Sequence, residues 1–172
     1  MNDDDEGAQI RDVYAHFGLT IYLAQVLEHG LVLAMVYLDL IPSSRGKVKD
    51  NNDWAKRMDS FVDRHFENTL GRMIRDLGQV TQVPADLQNM FAHALERRNW
   101  LAHDYFRERA AEFISVKGRE SMLRELKAAQ HLFESTDDRL TAVMKPVLEK
   151  YGFTDERLKV EMELFVKKAR DG

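Results

Sequence analysis

The sequence has 172 residues, enough for one well-packed domain and too few for two comfortable ones. It is 44% hydrophobic and 31% charged, carries a formal net charge of -4, and contains 9 Gly, 3 Pro and no Cys. This excludes a wholly disordered chain, a disulfide scaffold, thiolate zinc sites, a cysteine nucleophile and a broadly basic nucleic-acid binder. A local basic pocket is still allowed.

In chain order, residues 1–7 are acidic and are read as a disordered tail. They lack the cationic start of a secretory signal and the Arg-rich character of a transit peptide, so a cytoplasmic protein is expected. Val13, Phe17, Thr20, Ala24, Leu27, Leu31, Ala34 and Leu38 recur at steps of three and four, predicting a first helix over 8–40. A second apolar line through Leu19, Leu23, Val26, Leu33 and Tyr37 makes it a central or interface helix. Gln25, Glu28, His29 and Asp39 lie within the apolar run from Leu19 to Ile41 and make bilayer insertion costly, so no membrane partner is expected.

Pro42 to Gly46 breaks this helix and opens a polar loop to Asn52. Trp54, Met58, Phe61, Val62, Phe66, Leu70, Met73 and Leu77 predict one second helix, with Gly78 as its stop. Val83-Pro84 opens a third helix, which extends to about Ile114, and Gly118 marks a short connection. A fourth helix over 119–150 carries Met122, Leu126, Ala129, Phe133, Leu140, Val143 and Val147, with Pro146 as a possible kink. After the turn Tyr151-Gly152-Phe153, Thr154 caps a last helix through Leu158, Met162, Phe165 and Val166. No strand pattern competes. The expected fold is all-α, a single domain built as an up-and-down bundle of four long helices plus a shorter C-terminal helix.

On a wheel of the third helix, Leu87, Met90, Phe91, Ala94, Leu95, Leu101, Ala102, Tyr105 and Phe106 share one arc, and Arg98 sits near its middle. A guanidinium keeps its proton, so burying it demands an acceptor or a wet cavity. Two readings follow: a functional arginine, or a pair with a carboxylate such as Glu28. Arg109 falls in the same arc where the helix has run past the core. Asn99 and His103 share the flank of that arc, with Arg97 and Arg107 close in sequence. His16, His29, His65, His93 and His131 read as ordinary helix residues. No Glu-x-x-His, His-Glu-x-x-His, phosphate loop or Gly-x-Ser-x-Gly occurs, so no metal and no cofactor is expected.

The segment Glu96-Arg97-Arg98-Asn99-Trp100-Leu101-Ala102-His103-Asp104 resembles the signature of the HEPN superfamily, an Arg followed four to six residues later by His, with a polar residue after the Arg. Arg98, Asn99 and His103 match it. Tyr14-x-x-Phe17-Gly18 and Ala24-Gln25-x-Leu27-Glu28 also look like the first helix of bacterial members. The resemblance implies a helical homodimer acting as a metal-independent ribonuclease, of the kind found as toxins or in antiphage defence. It implies His103 as base or acid, Arg98 as the phosphoryl brace and Asn99 as an orienting group. Two motifs facing each other across a dimer axis would supply the second proton-transfer group.

Arg97 and Arg107 would then contact substrate phosphates. The implied partners are RNA of unspecified class, a second copy and an antitoxin or regulatory protein, with no DNA. The alternative is a non-catalytic nucleotide- or RNA-binding module, or a structural dimerisation module. Around Arg97, Arg98, His103, Arg107 and Arg109 the sequence reads as locally cationic, a balance that a two-fold axis would double.

Overall fold

Val13, Thr20, Ala24, Leu27, Leu31 and Ala34 follow one another at steps of three, four or seven, which confines them to a single face of a helix. In the computed structural model, which describes residues 3–171, all six are buried along α1 (Asp3–Met35). That face lies against α8 (Val116–Lys150), whose Met122, Leu126, Ala129, Phe133, Thr136 and Leu140 repeat at alternating steps of four and three. Each fully buried Leu or Phe contributes roughly 1.5–3 kcal/mol, so this seam is the main stabilising contact.

A polar clamp crosses the seam. Gln130 Nε2 donates to the His16 carbonyl at 3.0 Å and to Thr20 Oγ1 at 3.1 Å, while Thr20 Oγ1 donates to the His16 carbonyl at 2.7 Å. Among the described residues no buried side-chain nitrogen or oxygen lacks a partner. The stretch Glu6–Ser44 is long and apolar enough to cross a membrane by length and composition. In this fold its Val13, Leu27, Leu31 and Met35 pack inside the protein core.

The end of α1 widens into a π turn, Val36–Leu40, before α2 (Ile41–Ser44). Pro42 explains the change of winding: it has no N–H to donate, and its ring crowds the carbonyl four residues back, so the Ile41 N–H reaches the Val36 carbonyl instead. The acidic start expected as a tail is helical from Asp3. Glu6, within it, accepts a hydrogen bond from Arg119 at 3.2 Å. Met1 and Asn2 lie outside the described residues.

The single helix expected over 54–77 is two, α3 (Asn51–Phe66) and α4 (Leu70–Val80). Asp50 caps the first by accepting from the Asp53 N–H at 2.8 Å, and Thr69 caps the second by accepting from the Arg72 N–H at 3.3 Å. Gly78, expected as a stop, lies inside α4. The third helix is likewise interrupted, as α5 (Ala85–His103), α6 (Tyr105–Glu108) and α7 (Ala110–Phe113). Gly118, expected in a connection, belongs to the first turn of α8, which Ser115 caps, and α8 runs through Pro146 to Lys150.

The last helix, α9 (Asp155–Asp171), follows a four-residue link. The fold is all-helical, and no strand occurs among the described residues. One core joins residues of α1, α3, α4, α5, α6 and α8.

Candidate functional site

Pro84 precedes the first turn of α5, and Asp86 in that turn receives Arg139 of α8 at 2.6 Å, which fixes the start of the helix. Leu87, Phe91, Ala94 and Leu101 are buried and hold α5 against the core. Arg98 lies between Ala94 and Leu101 on this line, where periodicity predicts burial. Instead its head leaves the core edge and meets Glu28 Oε1 of α1 at 3.3 Å. The Arg98 side chain remains 32% exposed and that of Glu28 17%, so the pair is half-buried.

Asn99 and His103 stand exposed on the outer side of α5, as does Ala102, which the wheel had put in the apolar arc. At roughly 100° per residue, Asn99 and His103 are about 40° apart, whereas Arg98 and His103 are about 140° apart. Among the described residues no hydrogen bond or ion pair joins Arg98 to Asn99 or His103. The helix therefore presents Asn99 and His103 together, and turns Arg98 toward α1.

Helix α5 stops immediately after His103, where Asp104 departs from helical geometry at φ -126° and ψ -21°. The reason lies in the next residue. Tyr105 is buried, donates its hydroxyl to the Met122 carbonyl at 3.3 Å, and packs on Phe17, Trp100 and Phe106. Burial pushes the Tyr105 hydroxyl well above its ordinary pKa of 10.0, with Glu125 adding to the rise, so it stays a neutral donor. The break thus re-aims the chain so that Tyr105 and Phe106 enter the core, leaving His103 at an exposed helix end.

Arg97 lies over the Trp100 ring at 4.8 Å and Arg109 over the same ring at 5.1 Å. With His93, Glu96 and Leu132 they line a cleft of about 450 Å³ beside the motif. Trp100 Nε1 donates to Glu108 at 2.8 Å, and Arg109 grips both oxygens of Glu125 at 2.8 Å. Arg107 is exposed and paired with Asp104.

The locally cationic balance expected around the motif is thereby corrected. Arg98, Arg107 and Arg109 each face a carboxylate, and among the described residues only Arg97 of this group has none. The sequence names Glu28 as a candidate partner of Arg98, and the two do meet; it does not show the Glu125 partner of Arg109, because that carboxylate comes from another helix.

The arginine that the core buries is a different one. Arg119, in the first turn of α8, is 1% exposed and donates to Gln9 Oε1 at 2.7 Å, the Phe113 carbonyl at 2.9 Å and Glu6 Oε1 at 3.2 Å. A signal for it existed: Arg119 stands one three-residue step ahead of the Met122, Leu126, Ala129 stripe. His16, His29 and His65 make helix-local or inter-helix contacts through side chain or backbone, in keeping with structural roles.

Among the described residues no group of three or more His, Asp or Glu side chains is gathered that could hold a metal ion. Comparison with protein-family models, curated proteins and solved structures gives no match. The outer face of α5 offers an open imidazole with an amide beside it, and the side turned toward α1 offers a guanidinium held by one contact to Glu28.

Proposed function

We propose that the chain is a metal-independent endoribonuclease of the HEPN type, with a composite site formed between two copies. The observation that carries this reading is the position of the motif. Asn99 and His103 are exposed side by side at the end of α5, and the adjacent Arg98 is only half-buried. Residues used solely to pack a bundle would face inward, as Leu101 and Tyr105 do.

In this reading His103 takes the proton from the 2′-hydroxyl as that oxygen attacks the adjacent phosphorus. Arg98 leaves Glu28 to brace the phosphoryl oxygens, and Asn99 orients one of the two. The His103 of the second copy protonates the departing 5′-oxygen, giving a 2′,3′-cyclic phosphate and a 5′-hydroxyl. Arg97 and Arg107 contact neighbouring phosphates, Arg107 by exchanging its Asp104 partner. The up-and-down frame of four long helices with a shorter fifth, a cytoplasmic toxin or antiphage role, and restraint by an antitoxin or regulatory protein belong to the same proposal.

The test is cleavage of a panel of tRNA and single-stranded RNA by purified protein in EDTA. Wild type is expected to release cyclic-phosphate ends, and His103→Ala and Arg98→Ala to abolish cleavage while their thermal unfolding stays cooperative. Intact RNA with wild type rejects the enzyme reading.

A second reading, a non-catalytic RNA- or nucleotide-binding or dimerisation module, is favoured by one feature. The fold pairs Arg98 with Glu28, Arg107 with Asp104 and Arg109 with Glu125, which lowers the positive field at the motif. It predicts salt-sensitive binding with no product.

A further inference from the structure

Helix α9 is amphipathic and uncovered. Leu158, Met162, Phe165 and Val166 follow a four, three, one spacing that sets them on one side, yet every residue from Asp155 to Arg170 is exposed. Phe165 is 71% and Met162 63% exposed, values that a folded chain rarely tolerates along one face without a partner.

The same chain carries an apolar groove of about 480 Å³ between the end of α1 and α3. Val32 and Val36 form its floor, and Trp54, Met58, Val62 and Phe66, each four residues after the last, form a wall along the whole of α3. Helix α9 has 17 residues and α3 has 16, which at 1.5 Å per residue makes each about 25 Å long. The Leu158, Met162, Val166 row is a ridge of the same four-residue pitch as the α3 wall, the match that ridge-into-groove packing requires.

The link to α9 decides whose groove the helix fills. The Phe153 N–H bonds the Leu148 carbonyl at 3.1 Å and the Gly152 N–H bonds the Glu149 carbonyl at 2.9 Å, a Schellman cap with Gly152 at φ 79°. Thr154 immediately caps α9 by accepting from the Arg157 N–H at 3.3 Å. Arg157 also lies over the Phe153 ring, and Asp155 pairs with Lys145. All four linking residues are thus committed to caps or to the groove end, where Tyr151 and Phe153 pack on Tyr37. With these contacts in place α9 stays off its own groove, every residue from Asp155 to Arg170 being exposed.

We propose that α9 of each copy docks into the α1–α3 groove of a second copy, a reciprocal helix exchange about a two-fold axis. A specific interface buries about 1,600 Å² in all, so each of the two helix-in-groove contacts has to bury about 400 Å² on the helix and as much on the groove. None of its residues belongs to the motif, so the exchange can fail while the ribonuclease reading stands, although both require two copies.

The chain has no cysteine, so introduced thiols report only on each other. Full-length chains carrying Met162→Cys or Phe165→Cys are mixed with chains carrying Met58→Cys or Val62→Cys and mildly oxidised. At least one pairing is expected to give a disulfide-linked heterodimer that neither single variant gives alone. Wild type is expected to show a two-copy mass by light scattering. Phe165→Asp is expected to show a one-copy mass with unchanged far-UV circular dichroism.

Three results would overturn the exchange. The first is a double variant such as Met58→Cys/Met162→Cys closing within one chain, which would place α9 in its own groove. The second is monomeric wild type with no cross-link in any pairing, which would leave α9 to a different partner. The third is a Phe165→Asp chain that remains dimeric, which would place the contact elsewhere. No RNA enters these measurements: monomeric wild type would remove the two-copy site of the enzyme reading as well, whereas closure within one chain or a dimeric Phe165→Asp chain overturns the exchange alone.

Discussion

Two arginines near helix ends meet opposite fates, and burial decides what each is worth. Arg98 keeps a third of its side chain in water, where an ion pair such as that with Glu28 contributes at most about 1 kcal/mol. Arg119 has lost its water, and Gln9, Glu6 and the Phe113 carbonyl replace it. Removing Arg119 leaves Gln9 and the Phe113 carbonyl without their donor, while the half-exposed Glu6 returns to water, so Arg119→Met is expected to cost about 2–3 kcal/mol in urea unfolding, more than Arg98→Ala. A smaller loss at Arg119 than at Arg98 would refute this account.

Asp137 is a residue-scale case of the opposite sign. Burial, reinforced by neighbouring Asp138, raises its carboxyl above the ordinary value of 3.8. The folded state then holds its proton more tightly than the unfolded state, so this group's contribution falls as pH rises through and above the carboxylate range. Asp137→Asn is expected to match wild type in urea midpoint at a pH below the carboxylate range, and to exceed it by a margin that grows as pH rises through the raised titration of Asp137 and is constant above it.

At the scale of elements, close approach explains what propensity does not. A Cβ on Gly118 would lie 2.0 Å from the Glu112 carbonyl oxygen and 2.5 Å from its Cα, both backbone atoms that cannot turn aside. Glycine is therefore what lets α8 begin against the end of α7. Gly118→Ala is expected to lower stability by about 2–4 kcal/mol, as overpacking against a fixed backbone does. Gly18, inside α1 with nothing near its Cβ position, is expected to gain up to about 1 kcal/mol as Ala. Thermal unfolding of the two variants should move in opposite directions.

These positions show what the amino-acid pattern could and could not convey. The three-and-four spacing located α1, α8 and the body of α5, because packing one face is a local constraint. The break between α3 and α4 was hidden, since the stripe from Trp54 to Leu77 keeps its period straight through Asn68 and Thr69. The break after His103 depends on Tyr105 reaching the Met122 carbonyl, a contact with another helix that no local pattern records. The motif was legible as residues, and Glu28 as a carboxylate for Arg98, but the pairing of Arg109 with Glu125 was not, because the two lie on different helices with no shared local pattern.

For the whole molecule, a net charge of -4 sets the terms on which RNA can bind. One motif offers Arg97 without a carboxylate partner, and Arg98 and Arg107 only by exchange of Glu28 and Asp104 for phosphate. So few phosphate contacts make the salt dependence shallow. With about 0.7 counterions released per phosphate on single-stranded RNA, two or three contacts per motif predict a log–log slope of roughly -1.5 to -2, doubled in a two-fold site.

The competing surface is the 630 Å³ polar cleft between α2 and α3, where Lys47, Lys56, Arg57 and Arg64 outnumber Asp39 and Asp53. Titrating fluorescent single-stranded RNA into the His103→Ala protein across a range of salt separates the two. A slope within about -4 that becomes shallower in Arg97→Ala supports binding at the motif. A steeper slope, insensitive to Arg97→Ala and reduced by Lys56→Ala, would move the RNA to the α2–α3 cleft and take the phosphate-bracing role away from Arg98.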